Sequence, residues 1–323
     1  MKRITVLGGG TGTYVVLSGL KKYPLELAAI VSMMDSGGST GRLRDQLGVL
    51  PPGDLRQCLV ALSEAPELWR QLFLYRFDSG DLKGHNFGNI FLSTLEKISG
   101  DYKKVLETAE YVLQTKGKVI PVTLEKTNLC VRYENGKVLI GEGTIDEDNA
   151  EKSRVEEAYL DPKVSVNPDA TERIMNSDYI VIGPGDIYTS IVPVLLTTGI
   201  KEALMKTSAK IIFIMNLMTK SGQTYQYNAH HMLEDMKRYI GREPDTIIMH
   251  KGDIAQPILD RYASHEEEPI MNDLTASSYH GTIIEENLIQ AVAIEKTKGD
   301  DLTRSVLRHD TDKLCTLLSS ILV

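Results

Sequence analysis

Cysteine is scarce in this chain: Cys58, Cys130 and Cys315 are far apart in 323 residues and form no CxxC pair. Three thiols so placed exclude a disulfide framework and read as buried groups in a reducing compartment. Basic charge is short as well, with 36 Lys and Arg against 44 Asp and Glu and a net charge of −8. Nucleic acid as the main partner requires a basic face, so that balance argues against it, although a local pocket for a small anion stays open. No apolar run approaches the roughly 20 residues that span a bilayer. Met1-Lys2-Arg3 leads directly into a strand-like stretch at residues 4–7, without the apolar run and small-residue cleavage site of a secretory signal. The expectation is a cytoplasmic protein with no membrane insertion. His230-His231 and His265 lack partners at ligand spacing, so no metal site is called for. A GxSxG elbow, a catalytic Cys–His spacing, a kinase signature, repeats and low-complexity segments are also missing.

What is present is an ordinary globular composition, 42% apolar and 25% charged, able to bury a core. Length alone allows about two domains. The pattern reads instead as one α/β domain over residues 1–323, a Rossmann-like, doubly wound and mainly parallel sheet, with a β-rich insertion at about 120–170. Apolar strands at 4–7, 27–31, 178–182, 210–215 and 246–249 suit the middle of a parallel sheet, and a last β stretch is expected at 282–295. Helices are expected at 14–20, 54–64, 65–77, 90–97, 101–114 and 229–240. The 65–77 segment, with Trp69, Phe73 and Tyr75, reads as core. Asn128 to Tyr133 and Lys137 to Gly141 flank Glu134-Asn135-Gly136, a strong hairpin signal, and the charged stretch from there to about Lys163 reads as loop or short strand.

The chemistry lies in glycine-rich turns at strand ends. Gly8-Gly9-Gly10-Thr11-Gly12 passes from strand to helix, a geometry that aims free N–H groups at an anion. It is not a Walker A loop, and Val15 stands where a dinucleotide fingerprint has its third glycine. A tight turn serving only the fold is the alternative. Asp35-Ser36-Gly37-Gly38-Ser39-Thr40-Gly41-Arg42-Leu43-Arg44 follows the second strand. It places a carboxylate, Asp35, where such folds set one on a ribose, together with hydroxyls and the cations Arg42 and Arg44. Asp35 as a turn cap, with both arginines solvated, is the bland alternative. In Pro51-Pro52-Gly53-Asp54-Leu55-Arg56-Gln57, Asp54 and Gln57 fit an N-cap and its capping-box partner, while Arg56, beside a positive helix end, is suited to an anion. His85, Asn86 and Asn89 offer neutral donors and acceptors, or alternatively a satisfied loop histidine and helix caps. Gly183-Pro184-Gly185-Asp186-Ile187-Tyr188-Thr189-Ser190 is a third strand-to-helix turn, with Thr189 and Ser190 as hydroxyl donors. Asn216 opens a polar loop after the next strand, and Asp310 is placed to cap the final helix. Several such loops at one end of one sheet are expected to converge on a crevice outside the carboxyl ends of the strands.

Those five motifs, in that order, resemble the YvcK group of gluconeogenesis factors within the CofD-like superfamily. The resemblance continues through Asn216-Leu217-Met218-Thr219 to Arg308-His309-Asp310 and covers nearly the whole chain. It implies a Rossmann-like fold and a cytoplasmic bacterial protein. YvcK-like members bind UDP-sugars such as UDP-N-acetylglucosamine and are linked to cell shape and to growth on gluconeogenic carbon sources. The CofD branch instead transfers a phospholactate unit from a guanosine diphosphate-linked donor to a deazaflavin, with a divalent metal such as Mg²⁺. Carried over by position, Gly9, Gly10, Thr11 and Gly12, with Gly183, Pro184, Gly185, Asp186, Thr189 and Ser190, would hold the nucleotide. Asp35, as the one candidate catalytic residue, and Asn89 would face the transferred group or acceptor, and Arg308 would close the pocket. Many YvcK-like sequences carry a second acid after the first, where this chain has Ser36, which weakens a two-carboxylate metal site and tilts the expectation towards binding. Three functions are therefore carried forward: a UDP-sugar-binding regulator, a phospholactate transferase, and, more weakly, an NAD-dependent oxidoreductase suggested by Gly8 to Gly12 with Asp35. The partner expected is a nucleotide-type small molecule, and a homo-oligomer stays open.

Overall fold

A computed structural model describes residues 1–148, 151–290 and 307–323. Strand β1 (Arg3–Gly8) is followed by helix α1 (Thr11–Leu20), β2 (Glu26–Val31), and five helices: α2 (Gly38–Leu47), α3 (Gly53–Leu62), α4 (Glu67–Leu74), α5 (Phe87–Ser99) and α6 (Tyr102–Leu113). Strand β3 (Lys118–Pro121) comes next, then β4 (Asn128–Tyr133), β5 (Val138–Ile140), the short helix α7 (Glu142–Glu147) and β6 (Val155–Asp161). The chain then lays down β7 (Tyr179–Ile182), β8 (Lys210–Ile214), β9 (Thr246–His250) and β10 (Thr282–Glu286), and its last helix is Thr311–Leu322.

Seven strands form one parallel sheet in the order β10-β9-β8-β7-β1-β2-β3, flanked by helices. Strands buried on both faces carry apolar side chains without alternation, and β1 and β2 show this, each buried from its second residue onward. The order sets β1 inside the sheet, between the central strand β7 and β2. From it the chain runs outward through β2 to β3, then returns to the other side of β1 as β7. Between β1 and β7 the direction of winding reverses, and the turns after these two strands leave in opposite senses. That topological switch point is where open α/β sheets have a crevice.

Several expectations are corrected. The β-rich insertion is a separate antiparallel sheet, β5-β4-β6, held by the expected Glu134-Asn135-Gly136 hairpin. Residues 120 and 121, expected to open it, belong instead to β3, which pairs with β2 as the edge of the main sheet. The charged stretch after β5 contains a helix, α7, as well as a strand. In the 65–77 segment Phe73 is buried, but Trp69 and Tyr75 are 40% and 51% exposed, because α4 lies on the surface and turns only one side inward. Asp310 caps the last helix as expected, accepting from the amides of Asp312 and Lys313 at 3.0 and 2.9 Å. The part of the last expected β stretch beyond residue 290 lies outside the described residues. Among the described residues no helix is long and apolar enough to cross a membrane.

His309 sits in the segment that docks the last helix, bridged to Ile289 and only 6% exposed, with its Nε2 unpartnered. Burial, with His250 nearby, pushes its pKa down from 6.5 to about 4. The unfolded chain therefore takes up this proton first as the pH falls. The contribution is complete above about pH 6.5 and drains away towards about pH 4, by about 3 kcal/mol at most. A His309→Gln variant is expected to lose less melting temperature than the parent between about pH 7 and pH 5; equal losses would place the acid sensitivity elsewhere.

Candidate functional site

The crevice begins with one backbone contact. A Cβ on Gly12 would lie 1.7 Å from the Pro184 carbonyl oxygen. The first turn of α1 and the turn after β7 are thus packed main chain against main chain across the switch point, and only glycine fits. Gly9 and Gly10 are buried beneath it. A Cβ on Gly9 would meet Ser190 and the Asp54 carboxylate at 3.1 Å, and one on Gly10 would meet the Gln57 amide at 2.3 Å and Asp54 at 2.6 Å. Thr11 Oγ1 donates to Gln57 Oε1 at 3.3 Å. Asp54 and Gln57 therefore do not form the expected capping box: α3 begins at Gly53, Pro52 holds the capping position without a side-chain bond, and both polar groups turn towards the glycine turn. The amides at the start of α1 lack intrahelical acceptors, as in any helix, so this end offers donors to an anion.

The β7 turn supplies the opposite wall. Gly183 has φ +78° and lies against the Ile214 carbonyl, and Gly185 accepts from Asn216 Nδ2 at 2.9 Å. Asn216 Oδ1 is buried with no partner, an acceptor available to a ligand donor. A single π-helical turn, Ile187–Ile191, follows, and such turns recur at functional sites. It buries Tyr188, whose hydroxyl donates to Asp235 Oδ2 at 2.6 Å, and leaves Ser190 half-buried towards Gly9.

The β2 loop forms the third wall. Asp35 Oδ1 accepts from the Gly37 amide at 2.9 Å, and a Cβ on Gly41 would meet the Ser36 carbonyl at 2.0 Å, so the loop is wound tightly on itself; Gly38, at φ +44°, opens α2. Behind Asp35 lies a buried chain of polar groups. Thr40, hydrogen-bonded to Asp35, accepts from Asn89 Nδ2 at 3.3 Å, and Asn89 Oδ1 accepts from Arg56 Nε at 2.8 Å. Arg56 also donates to the Phe73 carbonyl at 3.2 Å. Ser39 Oγ accepts from the Asn86 amide at 3.1 Å and lies 3.3 Å from His85 Nδ1. Asn86 caps α5 through the Asn89 amide. Asn89, Arg56, His85 and Asn86 thus support the β2 loop from behind. Arg42 is exposed and donates to the Lys83 carbonyl at 3.1 Å; Arg44 pairs with Asp45 at 3.2 Å and keeps a buried NH1 without a partner. Arg308 is half-buried on the β9–β10 side of the sheet, next to His309.

Helix α7 carries groups that sequence reading missed. Ser36 Oγ accepts from the Gly143 amide at 2.9 Å, and the Ser36 amide donates to Glu142 Oε2 at 3.4 Å. Glu142 therefore stands beside Asp35, a second carboxylate brought from the insertion. Burial raises the Asp35 pKa, against the pull of the Gly37 amide, Thr40, Arg56 and Arg44. Burial, then the charges of Asp35, Asp146 and Asp54, holds Glu142 well above the usual carboxylate range. Further along α7, Asp146 pairs with Lys220, which also bonds Asp186 Oδ2 at 2.7 Å. The one sequence signal for α7 was the pair Gly141 and Gly143, both in contact with Ser36 or Gly37. An open hollow of about 1020 Å³ lies elsewhere, at the start of β2 and β3, lined by Glu26, Trp69, Tyr111, Lys118 and Arg173 among others. It is at the wrong end of the strands for a parallel-sheet ligand site, and the glycine turns are not part of it.

A family model described as 2-phospho-L-lactate transferase CofD matches residues 4–289. The gluconeogenesis factor of Bacillus subtilis is 37% identical, over 99% of this chain and 98% of its own length. That of Halalkalibacterium halodurans is 36% identical over 97% and 94%. A crystal structure of a UPF0052 family member from Bacillus halodurans aligns with a TM-score of 0.88 at 34% identity, covering 98% of this chain and 99% of that one.

Two outcomes follow from this geometry. Gly12→Ala is expected to cost about 3 kcal/mol, the upper part of the overpacking range, because the backbone carbonyl opposite cannot step aside as a side chain can; a melt within a degree of the parent would contradict the contact. The raised Glu142 pKa means that ionising Glu142 destabilises the fold as the pH rises. Glu142→Gln is therefore expected to raise the melting temperature by a few degrees at about pH 8 and to change it little at about pH 5.

Proposed function

The chain belongs to the CofD family, with gluconeogenesis factors as full-length relatives, and from that membership we propose that it is a cytoplasmic regulator that binds a nucleotide-sugar. The ligand in this reading is a UDP-sugar such as UDP-N-acetylglucosamine, and its occupancy links carbon supply to wall synthesis and cell shape during gluconeogenic growth. The observation that carries the reading is the packing of two glycine turns at the switch point, Gly12 against Pro184. It leaves helix-start amides, the Ser190 hydroxyl and the Asn216 acceptor facing one crevice. Amides suit the diphosphate, and Asp35 at the end of β2 suits the hydroxyls of a sugar. The chemistry is positioning and charge balance, sufficient for binding.

A second reading is favoured by one observation, the pairing of Asp35 with Glu142. It restores from α7 the second acid that Ser36 removes from the loop, and with it the phospholactate transferase reading. Among the described residues no group of three or more His, Cys, Asp and Glu is placed to hold a metal ion. Mg²⁺, however, commonly takes one or two carboxylates and completes its shell with substrate phosphates and water, so the pair fits that use. Asp35 and Glu142 would hold the ion, which would neutralise charge on the transferring phosphate.

A thermal-shift panel of UDP-N-acetylglucosamine, GDP, a deazaflavin and NAD separates these readings, because a ligand of the folded state raises the melting temperature. The regulator reading expects the UDP-sugar to give the largest shift. Stabilisation by the deazaflavin and by no UDP-sugar would sink it. Asp35→Asn is expected to keep most nucleotide affinity if Asp35 serves the sugar or acceptor end, and complete loss of binding would mean that Asp35 holds the nucleotide itself.

A further inference from the structure

Lys220 is the cation that the crevice holds beside the β7 turn, and two carboxylates occupy it. Its Nζ donates to Asp186 Oδ2 at 2.7 Å and to Asp146. Only about a fifth of its side chain is exposed, and although burial alone would lower its pKa, Asp186 and Asp146 hold it raised. The two partners differ in origin. Asp186 belongs to the β7 turn itself, whereas Asp146 arrives from the insertion on α7.

The attachments of α7 define what it does. Its first turn docks on the β2 loop, through Gly143 to Ser36 Oγ at 2.9 Å and the Ser36 amide to Glu142 at 3.4 Å. Its last turn docks on the β7 side, through Asp146 to Lys220 and from Thr189 Oγ1 to Asp146 at 3.4 Å. Strands β2 and β7 are the two neighbours of β1. They lie two strand spacings apart, roughly 9.6 Å, and a six-residue helix is about 9 Å long. The helix is therefore long enough to bridge the two sides of β1, from the β2 loop to the β7 side. Asp146 offers Lys220 an internal anion beside the β7 turn, where Asp186 already holds it.

We propose that Lys220 is a phosphate-binding residue of this crevice and that Asp146, on α7, is its built-in competitor, so that a nucleoside diphosphate enters by displacing Asp146 and lifting the strap. The proposal rests on the nucleotide-binding reading given above. It makes the insertion the part of the molecule that changes with occupancy, because the same helix bonds both walls only when Lys220 is not engaged by ligand. Exchange of one carboxylate for a phosphate leaves Lys220 paired in both states, so the change is a replacement of partners rather than exposure of a buried charge.

The first test needs no ligand. Hydrogen exchange of the amides of residues 142–147 is expected to be faster than that of β1 and β7, and faster again in Asp146→Asn at an unchanged core exchange rate, as for a segment that opens on its own. Exchange of these amides only at the rate of whole-chain unfolding overturns the strap. The second test titrates UDP by calorimetry. Asp146→Asn is expected to bind UDP about tenfold more tightly than the parent, and Lys220→Met at least tenfold more weakly, each tenfold being about 1.4 kcal/mol. An unchanged or weakened affinity in Asp146→Asn overturns the competition while leaving nucleotide binding intact. A parent chain and variants that all fail to bind UDP overturn the nucleotide reading and the role of Lys220 with it.

Discussion

The contact between residue 12 and the Pro184 carbonyl is the constraint on which the site depends. The carbonyl oxygen lies 1.7 Å from where a side chain at residue 12 would begin, so the approach exists only because there is none. That contact joins the two halves of the sheet at the point where the winding reverses. It fixes the distance between the helix-start amides of α1 and the β7 turn, and hence the width of the crevice. Gly9 and Gly10 extend the same logic to Ser190, Asp54 and Gln57, which come within van der Waals reach of the turn from two other elements. Glycine here serves close approach rather than flexibility.

Charge is arranged around that frame in an uneven way. The amides and the Asn216 side chain line the switch point, while Asp35, Asp54, Glu142, Asp146 and Asp186 gather around it, with Lys220 between two of them. Such a cluster opposes an anion unless something compensates, which a regulator and a transferase would do differently. In the regulator reading the phosphate replaces a carboxylate on Lys220. In the transferase reading a divalent ion would sit between the acids and the phosphate. The insertion, carried on its own small antiparallel sheet, supplies the group that matters in each case, Asp146 in one and Glu142 in the other.

Much of the frame was legible in the sequence. Continuous apolar strands, glycine turns at their ends and the Glu134-Asn135-Gly136 hairpin are local signals, and all fall where their chemistry requires. What escaped was long-range. Asp54 and Gln57 carry a capping-box spacing, yet Gly53 already starts the helix and the two side chains are claimed by a turn more than 40 positions earlier. Residues 118–121 border a β-rich stretch, but their partner is β2. Glu142 sits in a charged run with no periodicity to mark it, and its meeting with Ser36, 106 positions away, is a product of the fold. Ser36 looked like the loss of an acid; it is also the residue to which the replacement acid docks.

The most direct test of the account is a crystal structure of the chain with UDP-N-acetylglucosamine. The account predicts the diphosphate against the amides at the start of α1 and the Gly185–Ser190 turn, with the sugar towards Asp35 and α7 moved from Lys220. A ligand seated in the hollow at the start of β2 and β3, or bound with the Gly9–Gly12 turn untouched, would contradict it.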